Sequence, residues 1–306
     1  MRFSLPLYPY DRWQGVDAIG AAVVRADELG FAAVALPEHV VMPRRDGASA
    51  PSTVWYDNFV LAGMLAGLTS RIRFQLHAMV VPYRHPVVAA KLLSTLDTVS
   101  GGRVTVVAAA GWVRREFELV GADYDRRGAL TDEYLAAMKV LWTEDDPVFH
   151  GPTVDLTDLD FRPRCVQAPH VPLWIGGGGR RPLRRAAAVG DGWAPLGDDV
   201  AALEAGIGWL RRELAERGRD EASFTFSADL PILGEDLGAK RPTGLTHGRR
   251  STVEATSSAD QVVDLLRRYD AMGLAQVNLI FPWTSPAEYV DRMEWLAAEV
   301  APHVAG

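Results

Sequence analysis

Chemistry in this chain has few places to sit. His39 follows Pro37 and Glu38 at the end of a buried apolar run, where a histidine can hydrogen-bond a ring carbonyl or move a proton near neutral pH. His77 lies inside a second apolar run, and His85 stands between Arg84 and Pro86, where it reads as the start of a helix. Gly176, Gly177, Gly178 and Gly179 precede Arg180 and Arg181. Residues without side chains leading into a helix let backbone N–H groups converge on an anion, and the helix dipole favours negative charge there. An ordinary flexible turn with surface arginines reads the same way, so both remain open. Ala108, Ala109, Ala110 and Gly111 are small enough to admit a flat ring against the backbone, with Trp112 as a wall; core layering uses small residues too. His39, His77 and His85 lack the close helical spacing of a zinc motif, no carboxylate set completes one, and no metal is expected. The single cysteine, Cys165, lies in a loop-like stretch with no base nearby and is not expected to react.

The elements that must carry these groups alternate. Apolar β-rich runs at 2–6, 31–36, 73–81, 103–109, 173–177, 192–195, 224–231 and 276–281 are each followed by a helical pattern. Val16, Ile19, Val23 and Ala26 mark the first helix, stopped at Gly30. Val88, Leu92, Leu96 and Val99 mark the clearest one, stopped at Gly101 and Gly102. Helices are also expected over 58–68, 113–120, 131–142, 182–189 and 286–304, and around Leu203, Ile207, Leu210 and Leu214 and around Val262, Leu265, Leu266 and Tyr269. Residues 143–171 break the rhythm and predict an extended excursion or hairpin. Residues 234–251, polar and glycine-rich, predict a lid, and 42–56 a second pocket wall.

Strands without alternation are those buried on both faces, as in parallel sheets. Eight right-handed β–α–β units predict a single α/β domain over 1–306, a (β/α)8 TIM barrel with loop insertions; a doubly wound open sheet is the competitor. In such barrels the reacting groups come from the carboxyl ends of the strands, which is where His39, Ala110 and Gly178 fall.

Bulk composition excludes other classes. The 306 residues are 48% hydrophobic and 23% charged, ordinary for a globular protein. A net charge of −7 gives no long-range attraction to nucleic acid. No window approaches a membrane span, and neither an apolar signal core nor a cleavage site is visible at the amino terminus, so a cytoplasmic protein is expected.

Five stretches, ADELGFAAVALPEHV, TSRIRFQLHAMVVPYRHPVVAAKLLSTLDTVSGGRV, AAAGWVRREFELVG with DRRGALTDEYL following, VPLWIGGGGRRPLRRAAAVGDGW and ADQVVDLLRRYDAMGLAQVNL, carry a likeness across nearly the whole chain. The chain resembles the luciferase-like monooxygenase superfamily, in its branch of deazaflavin (coenzyme F420)-dependent oxidoreductases. The resemblance implies that His39 lies beside the deazaflavin ring, with Glu38 where the family usually has Asp. It implies a non-proline cis peptide at His77–Ala78, although Gly, Ala or Ser is more usual than His at position 77. Ala109, Ala110, Gly111 and Trp112 would border the ring, and Gly176, Gly177, Gly178, Gly179 and Arg180 the phosphate. Trp112 stands where sugar-phosphate dehydrogenase relatives have a proton-donating glutamate, so that reaction is not expected. Hydride transfer between deazaflavin C5 and an activated alkene, imine or carbonyl of a small substrate is expected, with His39 as the catalytic residue. The alternatives are reduced FMN with O2 in a monooxygenase, and a cofactor-binding protein without turnover. The resemblance also implies a homodimer, with Leu61, Met64 and Leu65 available to pack on a neighbour.

Overall fold

The computed structural model describes residues 1–42, 52–195, 200–231 and 258–304. Runs whose every side chain is buried make the central strands. Ala33–Leu36 (β2) and Leu173–Gly176 (β7) are buried at all four positions, and Val104–Ala109 (β4) at five of six. With Arg2–Pro6 (β1), Arg73–Val80 (β3), Gly192–Ala194 (β8), Thr225–Pro231 (β9) and Gln276–Ile280 (β10) they close a barrel in the order β1-β10-β9-β8-β7-β4-β3-β2. Every neighbouring pair in it is parallel. The closed (β/α)8 barrel is therefore the fold, and the open sheet is excluded.

Helices shield the outside: Val16–Glu28 (α1), Asn58–Leu68 (α2), Pro86–Ser100 (α3), Arg114–Val120 (α4), Arg127–Thr143 (α5), Arg180–Val189 (α6), Val200–Glu216 (α7), Ala259–Ala271 (α8) and Pro286–Trp295 (α9). Their ends follow local chemistry. Asp57 caps α2 by accepting from the Phe59 and Val60 N–H groups, both at 3.0 Å, and Gly101 ends α3 in the left-handed region at φ 66°. Residues 143–171 do contain a hairpin, Phe149–His150 (β5) against Asp155–Leu156 (β6). The closing helix is shorter than expected: α9 ends at Trp295 and continues as a π turn, Leu296–Val300, and a 3-10 turn, Ala301–His303. Leu61 and Leu65 are not exposed; both are buried, and the outward residues of α2 are Val60, Met64 and Leu68. That helix is apolar nearly all round, so its pattern could not say which side faces the core. The expected lid at 234–251 and most of the wall at 42–56 lie outside the described residues.

Asp27 shows how the layers are pinned. From the end of α1 its carboxylate accepts from the backbone N–H groups of Ser70 (2.9 Å), Arg71 (3.1 Å) and Ile72 (2.7 Å), fixing the start of β3. Burial alone would raise this carboxyl, but the three N–H groups and Arg71 outweigh it and hold it below the ordinary aspartate value. We expect Asp27→Ala to cost about 2–4 kcal/mol of stability in urea denaturation at neutral pH, because three donors lose a charged acceptor. Since the folded value is the lower one, the contribution is full at neutral pH and fades as the pH falls through it. The wild-type and variant curves should therefore converge in acid; curves that stay parallel would contradict this account.

Candidate functional site

The carboxyl ends of β2, β3, β4 and β7 lie side by side, because these four strands are consecutive in the barrel. At the first of them His39 is partly buried, with 15% of its side chain exposed, and its Nδ1 lies 2.9 Å from Glu116 Oε2. Glu116, on α4, is fully buried and takes three further donors: the Tyr83 hydroxyl at 2.8 Å on Oε2, and the Val40 and Val41 N–H groups at 2.7 and 3.1 Å on Oε1. Burial alone would raise this carboxyl, yet the hydrogen bonds from His39, Tyr83 and the Val41 N–H hold it below the usual range. Tyr83, itself buried beside that carboxylate, is pushed well above the usual tyrosine value and stays a donor. An ionised acceptor at Nδ1 requires the N–H there, so the ring nitrogen that His39 turns to its other side is Nε2. Trp55 and Trp112 meet the imidazole edge-on, at ring-centroid distances of 4.5 and 6.0 Å.

Glu38 has a different task. Its Oε2 accepts from the Val80 N–H at 2.6 Å and its Oε1 lies 2.5 Å from the Arg84 guanidinium, so it ties the end of β2 to the end of β3. Burial pushes its carboxyl up against the pull of Arg84. The segment so held contains the cis peptide His77–Ala78. Pairing with β4 steps from His77↔Val107 to Met79↔Ala108, leaving Ala78 as an extra residue that bulges from the ladder.

Beyond β4 and β7 the backbone must come close. A Cβ on Gly111, at φ +79°, would fall 2.6 Å from Val80 and 2.8 Å from Phe117, and one on Gly176 3.0 Å from Val107. Only glycine fits at Gly111 on both counts. The turn continues through Gly177 (φ +95°), whose carbonyl accepts from the Trp193 indole at 3.0 Å, to Gly179 (φ +84°). No side chain caps α6 at Gly179, so its first amides are open to an anion.

Ala110 and Gly111 also line one cavity with Arg180, of about 1000 Å3, running between α5, α6 and α7. Seven arginines line it against three carboxylates. Arg185 is neutralised by Asp132 at 2.5 Å, and Arg217 by Glu213 at 2.7 Å. Arg126, Arg180, Arg181 and Arg184 are exposed and have no carboxylate partner among the described residues. On the same helix Arg184 is exposed, whereas Arg185 is buried in its ion pair.

The fold therefore gathers His39, Ala109, Ala110, Gly111, Trp112 and the turn from Gly176 to Arg180 at one end of the barrel. Ala78 packs against Val107, Trp174 and Ala194 beneath them. His77 points inward, where its Nδ1 meets the Asn278 amide at 2.7 Å. His85 caps α3, accepting from the Val87 N–H at 3.4 Å, as its position before Pro86 suggests. Burial pushes the Cys165 thiol up to about 11, which disfavours the reactive thiolate. Among the described residues no group of three or more His, Cys, Asp or Glu is placed to hold a metal ion. Nor is any helix among them long and apolar enough to cross a membrane.

Sequence reasoning missed Glu116, Tyr83 and Arg84, and it missed Arg126 as a member of the cationic groove. Glu116 did leave a signal: it shares the buried face of α4 with Val113 and Phe117, where an unpaired carboxylate would be costly.

A family model described as luciferase-like monooxygenase matches residues 6–236. An uncharacterized protein of Mycobacterium tuberculosis is 30% identical over 259 residues, covering 80% of this chain and 90% of that protein. An FMNH(2)-dependent dimethylsulfone monooxygenase of Pseudomonas putida is 32% identical over 136 residues, 44% of this chain and 38% of that protein. Among solved structures, monooxygenase RslO1 from Streptomyces bottropensis superposes with a TM-score of 0.81 at 21% identity, covering 100% of both chains. The coenzyme F420-dependent tetrahydromethanopterin reductase of Methanopyrus kandleri does so with 0.77 at 17% identity, covering 99% of each. At such identities the solved structures speak for the fold alone.

Proposed function

This chain belongs to the luciferase-like monooxygenase family, and from that membership we propose that it is a coenzyme F420-dependent oxidoreductase acting on a small organic substrate. The observation that carries the choice of cofactor is the arginine groove. A flavin mononucleotide ends in one phosphate, which the glycine turn and the α6 amides can satisfy by themselves. The deazaflavin coenzyme carries an acidic tail beyond its phosphate, and Arg126, Arg180, Arg181 and Arg184 line the space next to that turn without carboxylate partners among the described residues. Unneutralised cations in a recess attract polyanions and suit little else.

In this reading Ala78, Ala109, Ala110 and Gly111 offer backbone and small side chains to the ring, with His77 supporting the segment and Trp112 as a wall. Gly176, Gly177, Gly178, Gly179 and Arg180 take the phosphate. The bound deazaflavin supplies hydride chemistry at C5, for an activated alkene, imine or carbonyl. His39, held by Glu116, orients the ring and moves a proton at Nε2. One domain over 1–306, a cytoplasmic location, and a homodimer using the Val60, Met64 and Leu68 side of α2 belong to the same reading. The second reading, reduced FMN with O2, is favoured by the likeness to the dimethylsulfone monooxygenase over residues this chain shares with it. A binding protein without turnover would have no use for a histidine clamped by a buried carboxylate.

Parallel titrations of the cofactor-free protein, followed by fluorescence quenching, test the choice. We expect F420 to bind at least about tenfold (about 1.4 kcal/mol) more tightly than FMN at low salt. Equal affinities, or a preference for FMN, would transfer the assignment to the monooxygenase reading.

A further inference from the structure

We propose that Asp229 gives the substrate its proton, held for that task by Asn278 and His77; the proposal rests on the hydride-transfer reading above. Asp229 on β9 is in register with Asn278 on β10, which is in register with Ser4 on β1, so the three side chains share one inward row of the barrel. The Ser4 hydroxyl donates to Asn278 Oδ1, which turns the amide nitrogen the other way. That nitrogen spends its two hydrogens on Asp229 Oδ1 at 2.9 Å and on His77 Nδ1 at 2.7 Å. His77 Nδ1 is thereby an acceptor, and the neutral ring carries its hydrogen on Nε2, a buried atom with no partner among the described residues.

The layer beneath this row is closed. Ser227, Gln75 and Gln276 are at most 3% exposed, whereas Asp229 is partly accessible, so its opening is toward the mouth where His39 and Ala78 lie. Among the described residues the titratable groups that interact with Asp229 are His77 from β3 and Tyr269 from α8. Burial is the larger influence and raises the Asp229 carboxyl, against the opposing hydrogen bond from the Asn278 N–H. Burial likewise lowers His77, which stays neutral. Two carboxyl groups thus stand in opposed environments at one barrel mouth. Glu116 has four donors and is ionised; Asp229 has one neutral donor and favours the acid. Such a split is how one site holds a fixed negative charge and a proton donor together.

The chemistry balances. When a substrate carbon of C=C, C=N or C=O receives hydride from the reduced deazaflavin, the π electron pair moves to the neighbouring atom. That atom takes the proton of the Asp229 carboxyl: the O–H bond breaks, its electrons remain on the carboxylate, and a new bond to hydrogen forms on the substrate. Water at the barrel mouth restores the proton.

The test uses full-length protein. With F420 bound and a panel of enones, cyclic imines and aldehydes, Asp229→Asn should lose about 10²–10³-fold in kcat, with F420 affinity unchanged within twofold. Asp229→Glu, which keeps the acid, should recover part of the loss. A readout independent of turnover is infrared spectroscopy of the cofactor-free protein near neutral pH, where wild type should show a carboxylic C=O band that Asp229→Asn lacks. An Asp229→Asn enzyme with undiminished turnover, or the absence of that band, overturns the proposal while leaving the cofactor reading intact. A wild-type protein that binds no F420, or reduces no member of the panel, brings down the reading and the proposal together.

Discussion

Replacing Glu116 by glutamine is expected to lower turnover about 100- to 1000-fold while F420 affinity changes little. The size follows from what the carboxylate does to His39. Its Oε2 accepts from His39 Nδ1 at 2.9 Å and from Tyr83, and its Oε1 accepts from two backbone amides. In a glutamine at this position the carbonyl oxygen must stay with the Val40 and Val41 N–H groups, which have no alternative acceptor among these contacts. The NH2 then faces Nδ1, forces it to accept, and transfers the ring hydrogen to Nε2. The nitrogen offered to the mouth changes from acceptor to donor, so the side chain keeps its place but loses its proton-accepting role. Tyr83 can rotate its hydroxyl to accept, and the fold should lose only about 1–3 kcal/mol. Tyr83→Phe is the control: it removes one of four donors without touching the tautomer and should cost about threefold or less in rate. Nitrogen-15 chemical shifts of the His39 ring read the tautomer directly. A Glu116→Gln enzyme with an unshifted tautomer, or with turnover within threefold of wild type, would remove Glu116 from its positioning role. Because hydrogen bonding holds the Glu116 carboxyl below its usual range, the pair should persist at neutral pH and dissolve only as the pH falls through that lowered value.

The arginine groove carries the second large effect. Changing Arg126, Arg181 and Arg184 together to alanine should weaken F420 binding about 30- to 100-fold at low salt. Three exposed cations at up to about 1 kcal/mol each give that range. Arg180 and the α6 backbone N–H groups stay in place, so FMN, whose single phosphate needs only these and the glycine turn, should bind within about twofold of wild type. The salt dependence of F420 binding should flatten in the variant, since screening acts on charges no longer there. Unchanged F420 affinity would show that the tail runs elsewhere, and an equal loss for both cofactors would mean the arginines serve the phosphate rather than a longer anion. Arg185 is left alone in this design because its ion pair with Asp132 and its bond to the Gly128 carbonyl at 3.0 Å join α6 to α5.

The two predictions act on different halves of one cup. In the proposed reading Glu116 governs what His39 can do to a proton, and the groove governs which cofactor binds. A protein failing the second but passing the first remains an oxidoreductase of this family with a different redox group.

Much of this molecule was written in short stretches of its sequence. Runs such as Ala33–Leu36 and Val104–Ala109 have no polar alternation, and burial on both faces is the only environment that tolerates them. Gly30, Gly101 and the turn through Gly177 and Gly179 end or start elements through local backbone geometry, and these too can be read residue by residue. His39, Ala110 and Gly178 were legible as a set because strand ends in a parallel barrel must face the same way. Partner choice was not. Glu116 meets His39 across 77 positions of sequence, and His77 meets Asn278 across 201. Arg126 joins Arg180 only because α5 and α6 flank one cavity. No local pattern encodes such pairs: the order of the strands brings Glu116 to His39 and α5 beside α6, and closure of β10 against β1 brings distant inward rows level. Periodicity along the chain determined which residues would be strand, helix or turn; the tertiary arrangement alone decided which carboxyl is ringed by four donors and which meets a single neutral one.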